Sequence, residues 1–333
     1  MVAYRNALRR PGRRIFIAGA ATLIALPGSR ASAQGNWPER TITIVVSFAP
    51  GGSSDISARL IAPALGEALG RPVVVENRGG AGGNIGIGYV ARAAPDGYTL
   101  LATSSAFVVN PSLYKRAPYD PFRDFLPIAT LSASPNVIAV RPDSPFRTLP
   151  ELIAYAKANP DRLNYASPGS GTTPHLAAEV LKQRAGIQMQ HVSFIGAGPA
   201  TQAAVAGTVD LICAHQGSIE AQLRSGQLRP LAHTGEGRQP DWPEVPSLGE
   251  LGIQDAVSKT FLALFATAGV PEPIMERISA AVAGVLRRPD VQERFRQSGM
   301  PVIGGGPAEL RTRVAREVLL WRQVIQQAGI KAE

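Results

Sequence analysis

The chain has 333 residues, of which 45% are hydrophobic and 18% charged, and its formal net charge is +9 at neutral pH. This length and apolar content allow a sizeable core and favour two domains over one. The single cysteine, Cys213, excludes an internal disulfide and a cysteine-based metal cluster. Because the four histidines also lack a metal-ligand spacing, we predict that the protein uses no metal and no cofactor.

The first 33 residues have the pattern of a secretory signal peptide. Five arginines between positions 5 and 14 precede a short apolar run, Ile15 to Leu26, and the small residues Ala31-Ser32-Ala33 follow as a cleavage site. The apolar run is too short to span a bilayer comfortably. We therefore expect a signal peptide at 1–33, cleavage after Ala33 and a periplasmic protein. The general secretion route is favoured, and Arg13-Arg14 leaves the twin-arginine route open.

Most of the basic excess belongs to this leader. Six of the 34 basic residues and none of the 25 acidic residues lie within 1–33, so residues 34–333 carry a net charge of only +3. The charge balance therefore gives no reason to expect nucleic-acid binding. No later stretch approaches 18 consecutive apolar residues. We expect the mature chain to be soluble and monomeric.

The stretch from Thr41 to Asp55 predicts a buried strand, a tight loop and the start of a helix. Apolar, mostly β-branched residues fill the strand, and Pro50-Gly51-Gly52 closes it. Ser53, Ser54 and Asp55 are residue types that cap helices. Such a helix start leaves backbone N–H groups unpaired, and these attract an anion without a charged side chain. We predict half of a ligand site at this loop.

The rest of the chain alternates between predicted strands and helices. Strands are expected at 73–76, 98–103, 137–140, 163–166, 191–194, 209–213, 228–233 and 260–267, and further helices at 87–94, 149–159, 176–186, 198–206, 219–225, 273–287 and 308–328. This alternation predicts an α/β fold with a mostly parallel sheet. Residues 111–127 show little periodicity, and Pro63 is expected to kink or shorten the first helix.

A second strand–loop–helix unit repeats the opening pattern. The loop from Ser167 to His175, SPGSGTTPH, follows an apolar strand and precedes a helix. The repetition predicts a second α/β domain with its own anion site at a helix N-terminus. His175 and His215 are candidates to line the cleft, and a packing or surface role is equally compatible with each.

Other chemistries have weaker support. Gly86-x-Gly88-x-x-Ala91 matches a dinucleotide motif by letters, but it lies inside a helical pattern and lacks the acidic residue expected after a later strand. Asp55 is interpreted as a residue that caps or orients the first helix rather than as a general base. A secreted hydrolase that uses Ser170 or Ser53 with His175 is an alternative. Loss of turnover in a Ser170→Ala variant would identify such an enzyme.

Several motifs, in this order, resemble those of the substrate-binding receptors of the tripartite tricarboxylate transporter family, also called the Bug family. The motifs are 38–43 PERTIT, 48–55 FAPGGSSD, 73–78 VVVENR, 80–86 GAGGNIG, 94–100 APDGYTL, 164–167 NYAS and 243–247 PEVPS. The resemblance covers the chain from about Trp37 to the end.

The resemblance implies an α/β, periplasmic-binding-protein-like fold of type II, with two lobes, a ligand cleft and two crossover strands. Lobe 1 would comprise 34–135 and 258–333, and lobe 2 would comprise 136–257. Such a receptor is not an enzyme. It binds a small organic carboxylate through backbone amides and hydroxyls, and it delivers this ligand to a membrane permease or reports it to a sensor protein.

The resemblance also implies a set of binding residues. In lobe 1 these are Ala49, Gly51, Gly52, Ser53, Ser54, Thr103 and Ser105, and in lobe 2 they are Ser167, Ser170, Gly171, Thr172 and His175. The chain departs from the family pattern at 196–198, 213–217 and 261–265. These departures leave the ligand open, and the lack of a buried arginine in either loop favours a mono- or dicarboxylate.

Overall fold

The computed structural model describes residues 36–253, 259–328 and 330, so the signal peptide expected at 1–33 lies outside the described residues. The helices are α1 Ser53–Leu69, α2 Asn84–Ala91, α3 Ala106–Leu113, α4 Leu149–Ala158, α5 Thr173–Ala185, α6 Ala197–Ala206, α7 Gln216–Arg224, α8 Glu272–Leu286, α9 Pro289–Gln297 and α10 Pro307–Ala328. The strands are β1 Ile42–Val46, β2 Val73–Asn77, β3 Thr99–Ser104, β4 Phe125–Val140, β5 Asn164–Ser167, β6 Gln190–Ser193, β7 Leu211–His215, β8 Arg229–His233, β9 Lys259–Thr267 and β10 Val302–Gly305.

The strands pair in the order β2-β1-β3-β9-β4-β7-β5-β6, and β8 and β10 also pair with β4. We call the part built on β1–β3, β9 and β10 lobe 1 and the part built on β5–β8 lobe 2. Within each lobe the βαβ units run parallel, as predicted. The two central strands, β4 and β9, are antiparallel to their neighbours. Antiparallel neighbours need no helical crossover connection. The parallel pairing within each lobe therefore ends at β4 and β9, which run in opposite directions.

β4 is the longest strand and joins the two lobes. Its residues from Phe125 to Pro135 pair with β9, and those from Asn136 to Val140 pair with β7. β9, which follows lobe 2 in the chain, belongs to the sheet of lobe 1, and residues 254–258 before it lie outside the described residues. A two-lobe α/β fold with crossover strands follows, in agreement with the predicted fold class.

The core of lobe 1 covers both faces of its sheet. Side chains alternate along β1, so Ile44 packs in a cluster with α1 and α8, whereas Val45 packs in a cluster with α3 and α10. Phe107 of α3 stacks on Phe265 of β9 with ring centroids 4.3 Å apart. The near-continuous apolar sequence of β1 reflects this burial on both sides.

Several element bounds differ from the predicted ones. Residues 111–127, expected to be irregular, contain the end of α3 and the start of β4. Pro63 does not shorten α1, because its ring is exposed and water can reach the carbonyl it leaves unpaired. The sequence analysis missed α9, since Val291 and Phe295 are its only buried residues, and it also missed the short β10. Across 36–253 and 259–328, no helix combines the length and apolarity needed to cross a membrane.

Three helices begin three residues earlier than predicted. α2 begins at Asn84 instead of Ile87, α5 at Thr173 instead of Leu176, and α7 at Gln216 instead of Ile219. Apart from Pro174 and the exposed Ile85, the residues that they add are small or polar and carry no helical periodicity of hydrophobicity. The earlier starts matter because they move helix N-termini into the loops between the lobes.

Candidate functional site

A small cavity lies between the lobes, with a volume of about 30 Å³. Most of its lining side chains are small, hydroxylated or apolar. The lining residues are Phe48, Gly52, Ser53, Ser54, Ser104, Pro168, Thr172, Thr173, Pro174, Ala197, His215, Ser218 and Thr260. No lysine, arginine, aspartate or glutamate is among these described residues. In this closed arrangement the cavity has room for only about two water molecules.

Four helices, α1, α5, α6 and α7, begin at this cavity, and Ser104, just before the N-cap of α3, also lines it. The N-caps of α1, α3, α5, α6 and α7 are Gly52, Ser105, Thr172, Gly196 and His215, and none of them makes a side-chain capping hydrogen bond. The first N–H groups of a helix have no partner within the helix, and its N-terminus carries about half a positive charge. The arrangement therefore provides a positive site for an anion without any basic side chain.

Glycines let the two lobes approach at this point. A Cβ atom at Gly198 would lie 2.5 Å from the Pro50 carbonyl oxygen, and one at Gly196 would lie 2.9 Å from Ala49 Cβ. Gly51 has φ of +82°, which L side chains rarely adopt. The small residues of 49–52 and 196–198 thus allow the N-termini of α1 and α6 to face each other.

Asp55 fixes the loop between β1 and α1 through hydrogen bonds. Its Oδ2 accepts a hydrogen bond from the Gly51 N–H at 3.0 Å, and its Oδ1 accepts from Arg59 Nε and Asn77 Nδ2, both at 2.9 Å. Burial raises the pKa of Asp55, but the hydrogen bonds from Arg59, Gly51 and Asn77 outweigh burial and keep this pKa below its ordinary value. Asp55 therefore orients the start of α1, in agreement with the sequence interpretation. Because its carboxylate accepts the Gly51 N–H, that N–H already has a hydrogen-bond partner.

The residues predicted in lobe 1 divide into two groups. Gly52, Ser53 and Ser54 line the cavity. The others support it: Ala49 donates its N–H to the Ile195 carbonyl at 3.4 Å, Thr103 Oγ1 lies 2.8 Å from Ser47 Oγ, and Ser105 Oγ accepts from the Phe261 N–H at 2.9 Å.

In lobe 2 only Thr172 of the predicted residues lines the cavity. Ser167 Oγ lies 2.7 Å from His191 Nε2, and Ser170 donates its N–H and its hydroxyl to Ser193 Oγ at 2.9 and 3.2 Å. These two residues stabilise the loop. Their hydroxyl groups point to other parts of lobe 2 because the loop turns back on β6.

His175 supports the same loop. Its Nδ1 accepts a hydrogen bond from the Gly171 N–H at 3.2 Å, and its ring stacks on His191 with centroids 4.3 Å apart. Burial lowers the pKa of His175 to about 4, and His191 acts in the same direction while Glu179 opposes it. The ring is therefore neutral near pH 7. Among the hydrogen bonds described for this loop, none joins His175 to Ser170, the pair that the hydrolase alternative requires.

Sequence reasoning missed most of the residues that line the cavity. These are Phe48, Ser104, Pro168, Thr173, Pro174, Ala197, Ser218 and Thr260; His215 was only an open candidate. One available signal was the strand-to-helix junction at 213–217, which repeats the arrangement of the two loops that were recognised. Thr260 gave no such signal, because it lies within a continuous apolar strand.

Direct contacts between the lobes surround the cavity. The Ser53 N–H donates to Ser218 Oγ at 3.1 Å, and Tyr114 Oη donates to the Ser170 carbonyl at 2.9 Å. Thr173 and Thr260 form a hydroxyl–hydroxyl contact. The structure therefore has the lobes closed on each other. Within the described ranges, no cluster of three or more histidine, cysteine or acidic side chains is suited to a metal ion.

Comparison with known proteins agrees with this architecture. Residues 57–330 match the family described as tripartite tricarboxylate transporter family receptor. The chain is 37% identical over 322 residues to the UPF0065 protein of the tcbD-tcbE intergenic region from Pseudomonas sp. strain P51, with 96% of both chains covered.

Solved structures are similar as well. The periplasmic binding protein BugD is 34% identical and has a TM-score of 0.86, with 89% of this chain and 100% of that chain covered. Rpa4515 of R. palustris, solved with adipate, is 32% identical with a TM-score of 0.85 and the same coverage. MatC of Rhodopseudomonas palustris, with bound malate, is 34% identical with a TM-score of 0.81, covering 86% and 99%. The chain therefore belongs to the tripartite tricarboxylate transporter receptor family of solute-binding proteins.

Proposed function

We propose that the protein is a periplasmic receptor whose lobes close on a small organic carboxylate, which backbone N–H groups and hydroxyls hold in the cavity. The observation that carries the proposal is the convergence of four helix N-termini, those of α1, α5, α6 and α7, on a cavity without a charged lining side chain. The ligand then passes to a membrane permease or is reported to a sensor protein.

Electrostatics gives a reason for ligand-driven closure. The N-termini of α1 and α6 come close together, since a Cβ atom at Gly52 would lie 3.6 Å from Ala197 Cβ. Two like partial charges repel each other at this distance. An anion between them is attracted to both, so it favours the closed arrangement over an open one.

The proposed boundary between the lobes is based on the pairing of β4. We propose that lobe 1 comprises 34–135 and 258–333, and that lobe 2 comprises 136–257. The change of pairing partner along β4, between Pro135 and Asn136, supports the first boundary. Closure would then bend β4 near this boundary, where a few residues can absorb a hinge rotation.

The ligand class follows from the charge of the site. The similar proteins with adipate and malate carry carboxylates. Helix N-termini and hydroxyls balance one or two negative charges more readily than three, because each terminus supplies only about half a charge. We therefore infer a mono- or dicarboxylate as the ligand.

A receptor fits the site better than a hydrolase does. Ser170 Oγ is bonded to Ser193, and His175 Nδ1 is bonded to the Gly171 N–H. A nucleophilic serine needs a base within hydrogen-bond reach, and that base needs a group that orients it. We expect Ser170→Ala to weaken binding at most, whereas in a hydrolase it would abolish turnover.

The test is thermal unfolding of residues 34–333, refolded from denaturant to remove carried-over ligand, against propionate, succinate, malate, adipate and citrate. A ligand at about 100 times its Kd adds about 2.7 kcal/mol of stability when it binds only the folded state. We expect a saturable rise in Tm for one carboxylate class. Sodium sulfate at matched ionic strength is the control for general salt effects. No saturable rise with any of these acids would contradict the proposal.

A further inference from the structure

The contact between Ser53 and Ser218 joins the two lobes at the wall of the cavity. Ser53 is the first residue of α1 in lobe 1, Ser218 lies in the first turn of α7 in lobe 2, and both line the cavity. The Ser53 N–H donates to Ser218 Oγ at 3.1 Å. In this closed arrangement, one of the N–H groups at the start of α1 is therefore paired with the opposite lobe.

Ser218 supplies an acceptor that the N-cap residue of α1 cannot supply. That residue is Gly52, which has no side-chain oxygen to accept a hydrogen bond from the first turn of the helix. The Gly51 N–H, in contrast, is paired with Asp55 inside lobe 1, so this bond does not depend on the distance between the lobes. Separation of the lobes therefore releases the Ser53 N–H and leaves the Gly51 N–H paired.

A carboxylate in the cavity competes with the Ser218 hydroxyl for the Ser53 N–H. A hydrogen bond to an ionised oxygen is roughly twice as strong as one between neutral groups. The N-terminus of α1 also attracts the negative charge of the carboxylate, whereas a hydroxyl carries none. The cavity has a volume of only about 30 Å³, so a carboxylate cannot enter it while every contact in its wall is kept. The carboxylate therefore replaces Ser218 as the acceptor.

A second cavity can receive the displaced hydroxyl. This cavity has a volume of about 460 Å³, and Gln202, Gln222 and Gln227 are among its lining residues. Among the residues that the structure describes, Ser218 alone lines both cavities. A hydroxyl that turns away from the Ser53 N–H thus faces side-chain amides and water, and its displacement leaves no buried polar group without a partner.

We propose that Ser218 is an autoinhibitory latch: its hydroxyl pairs with the Ser53 N–H when the lobes close without a ligand, and a bound carboxylate displaces it. This inference rests on the proposed function of the same site. It adds a closed state that competes with ligand binding, and the residue that stabilises this state. Because the latched state does not bind the ligand, it weakens the apparent affinity according to the fraction of molecules that adopt it.

The experiment measures Kd by calorimetry for propionate, succinate, malate, adipate and citrate, and the radius of gyration without acid by small-angle X-ray scattering. Ser218→Ala removes the latch. Tyr114→Phe is the matched control, because it removes another hydrogen bond between the lobes, from Tyr114 Oη to the Ser170 carbonyl, and neither of these residues lines the cavity. Circular dichroism checks folding. If Ser218→Ala does not fold, Ser218→Cys takes its place, since a thiol is a weak acceptor.

Without acid, both variants should have a larger radius of gyration than the wild type, since each loses a bond that holds the closed lobes together. Their effects on Kd should be opposite. Ser218→Ala should bind every acid that the wild type binds about twofold tighter or more, because the latched state is less populated and the liganded state loses no bond. Tyr114→Phe should bind the same acids more weakly, because its liganded state also loses the bond to Ser170.

Two results overturn the inference. One is an unchanged or raised Kd in Ser218→Ala, which means that the hydroxyl does not compete with the ligand. The other is a lower Kd in both variants, which means that the effect does not depend on the Ser53 N–H. Both leave the proposed function intact, because an acid still binds. If none of the five acids binds the wild type, the proposed function itself fails.

Discussion

At the scale of single residues, the buried histidines make stability depend on pH. Burial lowers the pKa of both His175 and His215 from an ordinary value of 6.5 to about 4. Between these values the unfolded chain binds more protons than the folded one. The stabilisation from keeping these rings neutral is therefore complete above about pH 6.5 and is lost as the pH falls towards about 4.

We expect the free energy of unfolding to fall by about 1.4 kcal/mol per pH unit for each of the two histidines within this window. Urea unfolding at about pH 7, 6 and 5 measures the slope. His175→Gln should flatten it, because one of these groups is removed, whereas His215 and His233, whose pKa burial also lowers, still contribute. A free energy of unfolding that stays constant over this range would contradict the assignment of neutral buried rings.

The thiol of Cys213 gives a second prediction at the scale of single residues. Cys213 lies in β7, is 1% exposed, and its pKa is raised by burial to about 12. A thiolate is the reactive form, so native Cys213 should react with a disulfide reagent at least about a thousandfold more slowly than after unfolding in urea. Rapid labelling of the native protein would show that β7 opens readily, and that result would conflict with the packing seen here.

At the scale of elements, the glycine-rich loop from Asn77 to Gly86 acquires a role that its sequence did not reveal. Gly82 has φ of +60°, and a Cβ atom there would lie 2.4 Å from the Ser170 carbonyl oxygen of lobe 2. The loop is thus a contact surface between the lobes and not a nucleotide-binding turn. The glycines permit two backbones to approach as the lobes close.

We expect Gly82→Ala to weaken carboxylate binding, because the added methyl group opposes closure. The matched control is Gly237→Ala, where φ is +55° and no atom lies within 4 Å of the added Cβ. Both variants should lose about 1–2 kcal/mol of stability from the left-handed backbone. Only Gly82→Ala should raise the Kd of the acid that gives the largest thermal shift. An equal Kd for the two variants would mean that this contact does not limit closure.

At the scale of the whole molecule, the small cavity requires motion. The cavity between the closed lobes has a volume of only about 30 Å³, so the lobes must separate for a carboxylate to enter and must lie somewhat further apart around a bound one. Within the described residues, β4 runs from one lobe into the other, which leaves bending of this strand as the natural movement.

We therefore expect the radius of gyration in solution to decrease when the ligand-free protein is saturated with its best carboxylate. Small-angle X-ray scattering measures this change. The Gly82→Ala variant should show a smaller decrease at the same saturation. An unchanged radius of gyration in the wild type would mean that the lobes do not move and that entry uses another route.

Local sequence patterns predicted much of this architecture. The alternation of buried strands with amphipathic helices predicted the α/β class, and β1, α4 and α10 lie close to their expected bounds because their periodicity is strong. The loop of Gly52, Ser53 and Ser54 was also recognisable, since strand, glycine turn and helix start are adjacent in the chain. The family resemblance was likewise carried by contiguous motifs.

The tertiary structure alone decided which residues of the loops line the cavity. Ser167, Ser170 and His175 lie in the predicted loop at 167–175, but their side chains form hydrogen bonds with His191, Ser193 and Gly171 inside lobe 2. His215, Ser218 and Thr260 come from separate elements and meet only because β4 and β9 bring the lobes together. Local sequence dictates where a helix begins, but the atoms that a helix start faces depend on contacts between residues far apart in the chain.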